Sequence, residues 1–306
     1  MIHSKESTFF DQTWCGIDWS AWIPFTRARM DTLPAQPGVY RLRVAGSLEE
    51  LFYIGASPTW GLGPYLTGLH QAAMRDRTQM PYGGMYAWDY LAAPALWTWR
   101  DAEGSSFECS VGTIDATRQD IEGLMCALLW EYRRAQGCSP RANYGRFHPH
   151  YRASATFLTA RGRQRLRGAR LPEGQTNPAA GESHPPLLPM ATFRFADTYW
   201  MGLRWGGWID LRAPDSPRGT SLPHGPAIYA VADAQTWNEL LFIGYAWDMS
   251  AAYSSIARRP WDCPLPMLRA YTKVEQDMPE HQLRELAGDL IGTYFSIKRK
   301  PPRFQF

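Results

Sequence analysis

Ten arginines fall between positions 133 and 170, with no aspartate or glutamate among them: Arg133, Arg134, Arg141, Arg146, Arg152, Arg161, Arg163, Arg165, Arg167 and Arg170. A guanidinium is a rigid fork of donors that matches phosphate oxygens in pairs. Clustered cations also gain affinity for a polyanion by displacing its counterions. Tyr144, Phe147 and Tyr151 are interleaved with the arginines, and aromatic rings beside cations stack on bases. The expected chemistry is phosphate contact, with DNA, or alternatively RNA, as the partner. Arg141, Arg146, Arg161, Arg163, Arg165 and Arg167 are the candidate contacts. A solvated linker is the competing reading. Arg supplies 28 of the 32 basic residues, a bias that a G·C-rich genome also produces.

Other reactive groupings are sparse. His148-Pro-His150 has no cysteine or carboxylate near it in sequence, so it is a weak metal pair. The five cysteines are scattered and form no Cys-x-x-Cys pair, which argues against a zinc ribbon or a thioredoxin-type site. A reduced, cytoplasmic setting is expected. No Walker motif, dinucleotide fingerprint or Gly-x-Ser-x-Gly elbow occurs. No apolar run approaches the roughly 18–20 residues of a membrane helix. The N-terminal residues lack the apolar stretch of a secretory signal.

The elements that must position these groups come in two sets. With 306 residues, 45% hydrophobic and 20% charged, the chain supports a sizeable core in one large domain or two ordinary ones. Trp14, Gly16, Trp19, Trp22 and Ile23 recur as Trp200, Gly202, Trp205, Trp208 and Ile209, at an offset of 186. Tyr40 and the run Glu50 to Gly55 recur as Tyr229 and Glu239 to Gly244, at 189. Leu128, Tyr132, Pro140 and Asn143 match Leu290, Tyr294, Pro302 and Gln305, at 162. Four blocks in the same order mark a duplication. Residues 1–155 are expected to form the first domain and 190–306 the second. Residues 156–189 read as a linker, basic and then rich in Pro and Gly. Each copy reads strand, strand, helix, strand, helix. In the first, residues 38–44, 51–55 and 107–111 are strands and 61–77 a helix. A long helix over 115–136 starts at Asp115 or Thr117 and is ended by Gly137, with Ile121, Met125, Leu128 and Tyr132 on one face. The fold class is α+β: two tandem small domains, each an antiparallel sheet flanked by helices.

Gly38-Val39-Tyr40 followed by Tyr53-Ile54-Gly55 resembles the GIY-YIG nuclease superfamily. The order hairpin, helix, strand and helix, with Pro140 to Asn143 after it and Ser57 beyond the glycine, strengthens the resemblance. It covers about residues 36–145 and, in a weaker form, 225–306. It implies metal-dependent phosphodiester hydrolysis. Tyr40 and Tyr53 would position or deprotonate a water, and His70 would occupy the family's histidine position. A glutamate of the last helix would hold one Mg²⁺ (or Mn²⁺) and Asn143 would close the motif. Glu122 suits the ligand by its place in the helix, Glu131 by its spacing to Asn143. Nine residues apart, they project on opposite sides, and Glu122 is favoured. The family's arginine is missing, since Gly63-Pro-Tyr65-Leu66 stands at its place. Arg75 or Arg77 is the candidate substitute.

In the second copy Phe242 replaces the motif tyrosine, Thr293 stands for Glu131, and Glu285 lies one position from Glu122's equivalent. That copy is expected to be inactive. Three functions remain in play: a DNA endonuclease of a restriction or defence kind, a non-catalytic nucleic-acid binder, and a scaffold using its tryptophan-rich lead-ins. The two copies would form an internal pseudo-dimer.

Overall fold

The computed structural model describes residues 8–76, 92–158, 164–177, 180–189, 195, 197–212, 222, 224–237, 239–271 and 274–306, with the side chains of 153–168 set aside. Arg77, Arg161 and Arg163 lie outside the described residues, and Arg165 and Arg167 are described in their backbone alone.

The first half contains β1 (Ile23–Pro24), α1 (Arg27–Met30), β2 (Gly38–Val44), β3 (Tyr53–Ser57), α2 (Leu62–Ala73), α3 (Ala92–Glu103), β4 (Phe107–Thr113) and α4 (Arg118–Gln136). Its strands form one antiparallel sheet in the order β1-β4-β2-β3. Alternation along β2 and β3 sorts side chains onto two faces. Tyr40, Leu42 and Tyr53 join Leu62, Leu66 and Leu96 of α2 and α3 in one core layer. Val39, Ile54 and Ala56 meet Ile121, Leu128, Leu129 and Tyr132 of α4 in the other. Of the helix face read from sequence, only Met125 is half-buried. Thr117 caps α4 by accepting the Asp120 N–H at 3.2 Å. Gly137 ends it in the left-handed conformation.

A two-stranded ribbon follows, β5 (Tyr151–Leu158) with β6 (Gln164–Arg170). The expected boundary at 155 falls inside β5, and residues 156–158 and 164–170 of the expected linker are strand. Alternating residue types favour this pairing. The buried Tyr151 anchors the ribbon's base, donating its hydroxyl to Asp101.

The second half adds β7 (Tyr199–Trp200), β8 (Leu203–Arg204), β9 (Ile209–Asp210), β10 (Ala227–Asp233), β11 (Leu240–Ala246), α5 (Met249–Ala257), β12 (Pro266–Tyr271) and α6 (Glu280–Lys298). Its antiparallel sheet runs β9-β12-β10-β11, the order of the first sheet element for element. The match reaches single contacts. Tyr132 Oη accepts the Leu51 N–H at 3.1 Å, and Tyr294 Oη accepts the Leu240 N–H at 3.1 Å. Cys15 and Met201 both adopt positive φ, 55° and 54°.

Helices α4 and α6 join the halves. They cross closely because a Cβ at Gly292 would strike the Cys126 backbone and one at Gly123 the Phe295 ring. One end of this contact is polar. Fully buried Arg133 lies 2.7 Å from Asp289 and 3.2 Å from Glu285. Glu285 also accepts from Ser139 Oγ at 2.6 Å and the His184 N–H at 2.7 Å. Removing one member of such a cluster strands a buried charge, at about 3–5 kcal/mol.

Candidate functional site

The tyrosines of the first motif come together. Tyr40 and Tyr53 stack with ring centroids 6.1 Å apart, and Tyr65 closes on Tyr40 at 5.7 Å. Tyr40 is fully buried and Tyr53 is 8% exposed. Gly55 sits opposite Tyr40 in the ladder, and a Cβ there would run into the phenol ring. Tyr229 and Gly244 repeat this pairing. The tyrosine and glycine of the motif are therefore one steric unit in both halves.

Asn143 lies beside β3, an edge strand. Its Oδ1 accepts the Ile54 N–H at 2.9 Å, and its Nδ2 donates to the Ile54 carbonyl at 2.8 Å. The amide imitates a neighbouring strand and closes an edge that would otherwise recruit another chain. Gln305 does the same for Ile243, at 2.9 Å and 2.9 Å.

The glutamates belong elsewhere. Both lie on α4, which covers the face opposite the tyrosine layer. Glu122 is buried and accepts from Arg118 Nε at 3.0 Å; burial pushes its carboxyl above the usual range. Glu131 is on the surface, paired with Arg134 at 3.1 Å. Mg²⁺ takes oxygen ligands in a strict octahedron and keeps several waters. A buried carboxylate already held by a guanidinium does not fit that ion, and Glu131 faces away from the tyrosines. Among the described residues no three His, Cys, Asp or Glu side chains form a metal-holding group.

His70 is half-buried, with its ring edge on Phe25 at 5.3 Å. Burial, then the charges of Arg100 and Arg27, holds its pKa below the ordinary value, and Nδ1 has no hydrogen-bond partner. Arg75 is exposed just beyond α2, where its carbonyl accepts from Arg100.

The arginine run divides. Arg133 is the buried tie between the halves. Arg146 is also buried, donating to the Ser139 and Pro140 carbonyls and, at 3.1 Å, to Ser183 Oγ. Its expected place on a phosphate-contacting surface is corrected: its donors hold the chain turn after α4. Arg141 is ion-paired with Glu50 and lies over Trp99 at 4.7 Å, so only part of it faces solvent. Phe147 and Tyr151 are core residues and offer no stacking surface. His148 is buried too, with Nε2 3.1 Å from Glu103. Apart from Arg134, paired with Glu131 at the surface, the rest of the described run lies on the ribbon. Arg152 and Arg170 are exposed, and the backbones of Arg165 and Arg167 pair with Phe157 and Ser154.

The tryptophan lead-ins are cages for an arginine. The Arg41 guanidinium lies 4.3 Å from the Trp19 ring, 4.9 Å from Trp22 and 6.0 Å from Trp14. It donates to the carbonyls of Phe9 at 2.5 Å and Asp11 at 3.0 Å. Arg269 lies 4.6 Å from Trp205, 4.7 Å from Trp208 and 5.4 Å from Trp200, and donates to the carbonyls of Phe195 and Asp197. The two arginines come from different strands. Arg41 is on β2 opposite Ser110, whereas Arg269 is on β12 opposite Ala230, the residue that aligns with Arg41.

A concavity among the described residues lies between the halves. It is a cleft of about 490 Å³ along the β11 edge, walled by Tyr229, Phe242, Tyr245 and Arg284 on one side and Tyr53, Asn143 and Tyr144 on the other. Tyr229 and Phe242 stack at 5.8 Å and are half-buried, unlike Tyr40. Arg259 covers one face of Phe242 at 4.5 Å. Arg284 Nε donates to Tyr245 Oη at 3.1 Å, and both Tyr245 Oη, at 2.9 Å, and Arg284, at 2.7 Å, donate to Glu280. Sequence reasoning missed this group. A signal was present at the offset of 162: Glu280 and Arg284 align with Arg118 and Glu122, the same i,i+4 pair with its charges exchanged.

Comparison with protein-family models, curated proteins and solved structures finds no match to this chain. Among the described residues no helix is long and apolar enough to cross a membrane.

Proposed function

We propose that the chain is a tandem GIY-YIG-like protein that binds DNA and whose first motif has become structural. One observation carries this reading: three polar groups expected to act in the first motif, those of Tyr40, Asn143 and Glu122, are committed to packing or turned from their partners. Tyr40 is sealed under Tyr65, Asn143 is spent on the strand edge, and Glu122 is held by Arg118 on the other face. The basic ribbon supports DNA as the ligand, because a two-stranded antiparallel ribbon fits the major groove.

The test is a gel shift on duplex DNA at 50 and 200 mM salt, with parallel incubations in Mg²⁺, Mn²⁺ and EDTA. The expected result is intact DNA in every metal and a shift that weakens steeply with salt. About six phosphate contacts would lose roughly 10³-fold affinity over that range. Replacing Arg152, Arg165, Arg167 and Arg170 by alanine should lower the salt slope by about one per contact. Absence of any shift at 50 mM salt would overturn DNA binding.

A second reading, metal-dependent hydrolysis, draws on one observation: Tyr229 and Tyr245 line the cleft between the halves, and Tyr245 donates to the carboxylate of Glu280. Metal-dependent nicking lost in Glu280→Gln but kept in Tyr53→Phe would favour it. Nicking lost in Tyr53→Phe would return catalysis to the first motif.

A further inference from the structure

We infer that the cleft between the halves receives a single unpaired nucleobase, so that the protein prefers DNA containing a mismatch or an extrahelical base. This rests on the DNA-binding reading above. The cleft's volume, about 490 Å³, lies in the range of small-ligand sites. Its walls are those that hold an extruded base: flat aromatic and apolar surface with few polar groups. Tyr229 and Phe242 form a half-exposed stack on one wall, and Tyr53 and Tyr144 face them from the other half.

Two features point to a ligand beyond packing. Tyr144 lines the cleft, and its hydroxyl, buried against Gly288 of α6, has no hydrogen-bond partner. A buried hydroxyl left unpaired costs free energy that a bound donor or acceptor recovers. Its ring lies against Gly288, where a Cβ would collide with it, so α6 leaves room for it. The cleft is also bordered by cations. Arg284 lines it and Arg259 backs Phe242, which suits a base whose flanking phosphates stay outside. Extrusion costs least where the base is already mispaired, and this gives the discrimination its source.

The experiment compares binding of three 25-mer duplexes of one sequence: fully matched, with one mismatched 2-aminopurine, and with one unpaired 2-aminopurine. Anisotropy reads affinity, and 2-aminopurine emission reads stacking. About tenfold tighter binding of the two lesioned duplexes is expected, with emission quenched on binding. Phe242→Ala should abolish the preference while leaving the matched-duplex affinity nearly unchanged; one base–aromatic stack accounts for a change of that order. Ala287→Phe fills the cleft from α6 and should act in the same way, guarding against a misfolded first variant. Equal affinity for all three duplexes, or a preference that survives both variants, overturns the inference while leaving DNA binding intact. Failure to bind even the matched duplex overturns both.

Discussion

The first half keeps both tyrosines of its motif and buries them; the second has lost one hydroxyl and leaves its aromatic pair half open. The tyrosine of the first motif strand, Tyr40, thus sits where a substrate has least access. In both halves the tyrosine of the first motif strand lies over the glycine of the second, and the contact needs only a flat ring and an absent Cβ. The arginine cages make the same point more sharply. Each half needs a guanidinium among three indoles, donating to the carbonyls of a preceding segment, but the two supply it from different strands. Packing specifies a place in space and leaves the chain position free.

Arg133→Ala should have the largest effect. It leaves Glu285 and Asp289 buried without their cation, and about 3–5 kcal/mol of stability is expected to go. Chemical denaturation followed by Trp fluorescence measures it. Separate unfolding of the halves, in two transitions, is the expected signature, because this cluster ties them. A loss below 1 kcal/mol would break the picture of a polar tie.

The arginine exchange comes next. Arg41→Ala removes several charge-assisted hydrogen bonds and a desolvated cation–π cage, for about 3 kcal/mol or more. Adding Ser110→Arg moves the guanidinium to the strand that the second half uses. The double variant should recover more than half of the loss. No recovery would mean that the cages only look alike.

Much of this was legible in residue order. Two antiparallel sheets with helices followed from periodicity and offsets, the stop at Gly137 from its residue type, and of the two expected caps, Asp115 and Thr117, the helix uses Thr117. Arg146 and Phe147 were not legible as core residues, because an arginine-rich stretch looks the same whether its donors meet carbonyls or phosphates. The ribbon was hidden by its composition, since Gly168 and the loop residues weaken a strand signal that pairing then restores. Tyr245, Glu280 and Arg284 were hidden because a motif comparison weighs identity, and these three differ from their counterparts in the first half.

The edge amides rank third. Asn143→Leu strips two buried partners from Ile54 and should cost about 2–3 kcal/mol. Gln305→Leu removes the equivalent pair from Ile243, but Gln305 is half-exposed, so water replaces part of the loss and about 1 kcal/mol is expected. Equal costs at the two sites would mean that the second edge is as sealed as the first, against the openness of its cleft.

The smallest effect is the one with a sign. Burial raises the Glu122 carboxyl above its ordinary range, so the folded chain holds that proton more tightly than the unfolded chain does. The stability this proton contributes is full below the unfolded value, about 4.3, and is lost as pH rises through the folded value. Glu122→Gln removes the titration and keeps an oxygen for Arg118. The variant should therefore melt slightly higher than the parent at pH 7, within about 1 kcal/mol, and the gap should close toward pH 4. Melting temperatures of both proteins from pH 4 to pH 8 read this directly. Its counterpart Arg284 carries the opposite charge at the same helix position and is bound to Tyr245 and Glu280 in the open cleft. Arg284→Gln should instead lower stability at neutral pH. If Glu122→Gln also destabilises at pH 7, the negative charge is wanted there, and the contrast between a buried first position and an open second one fails.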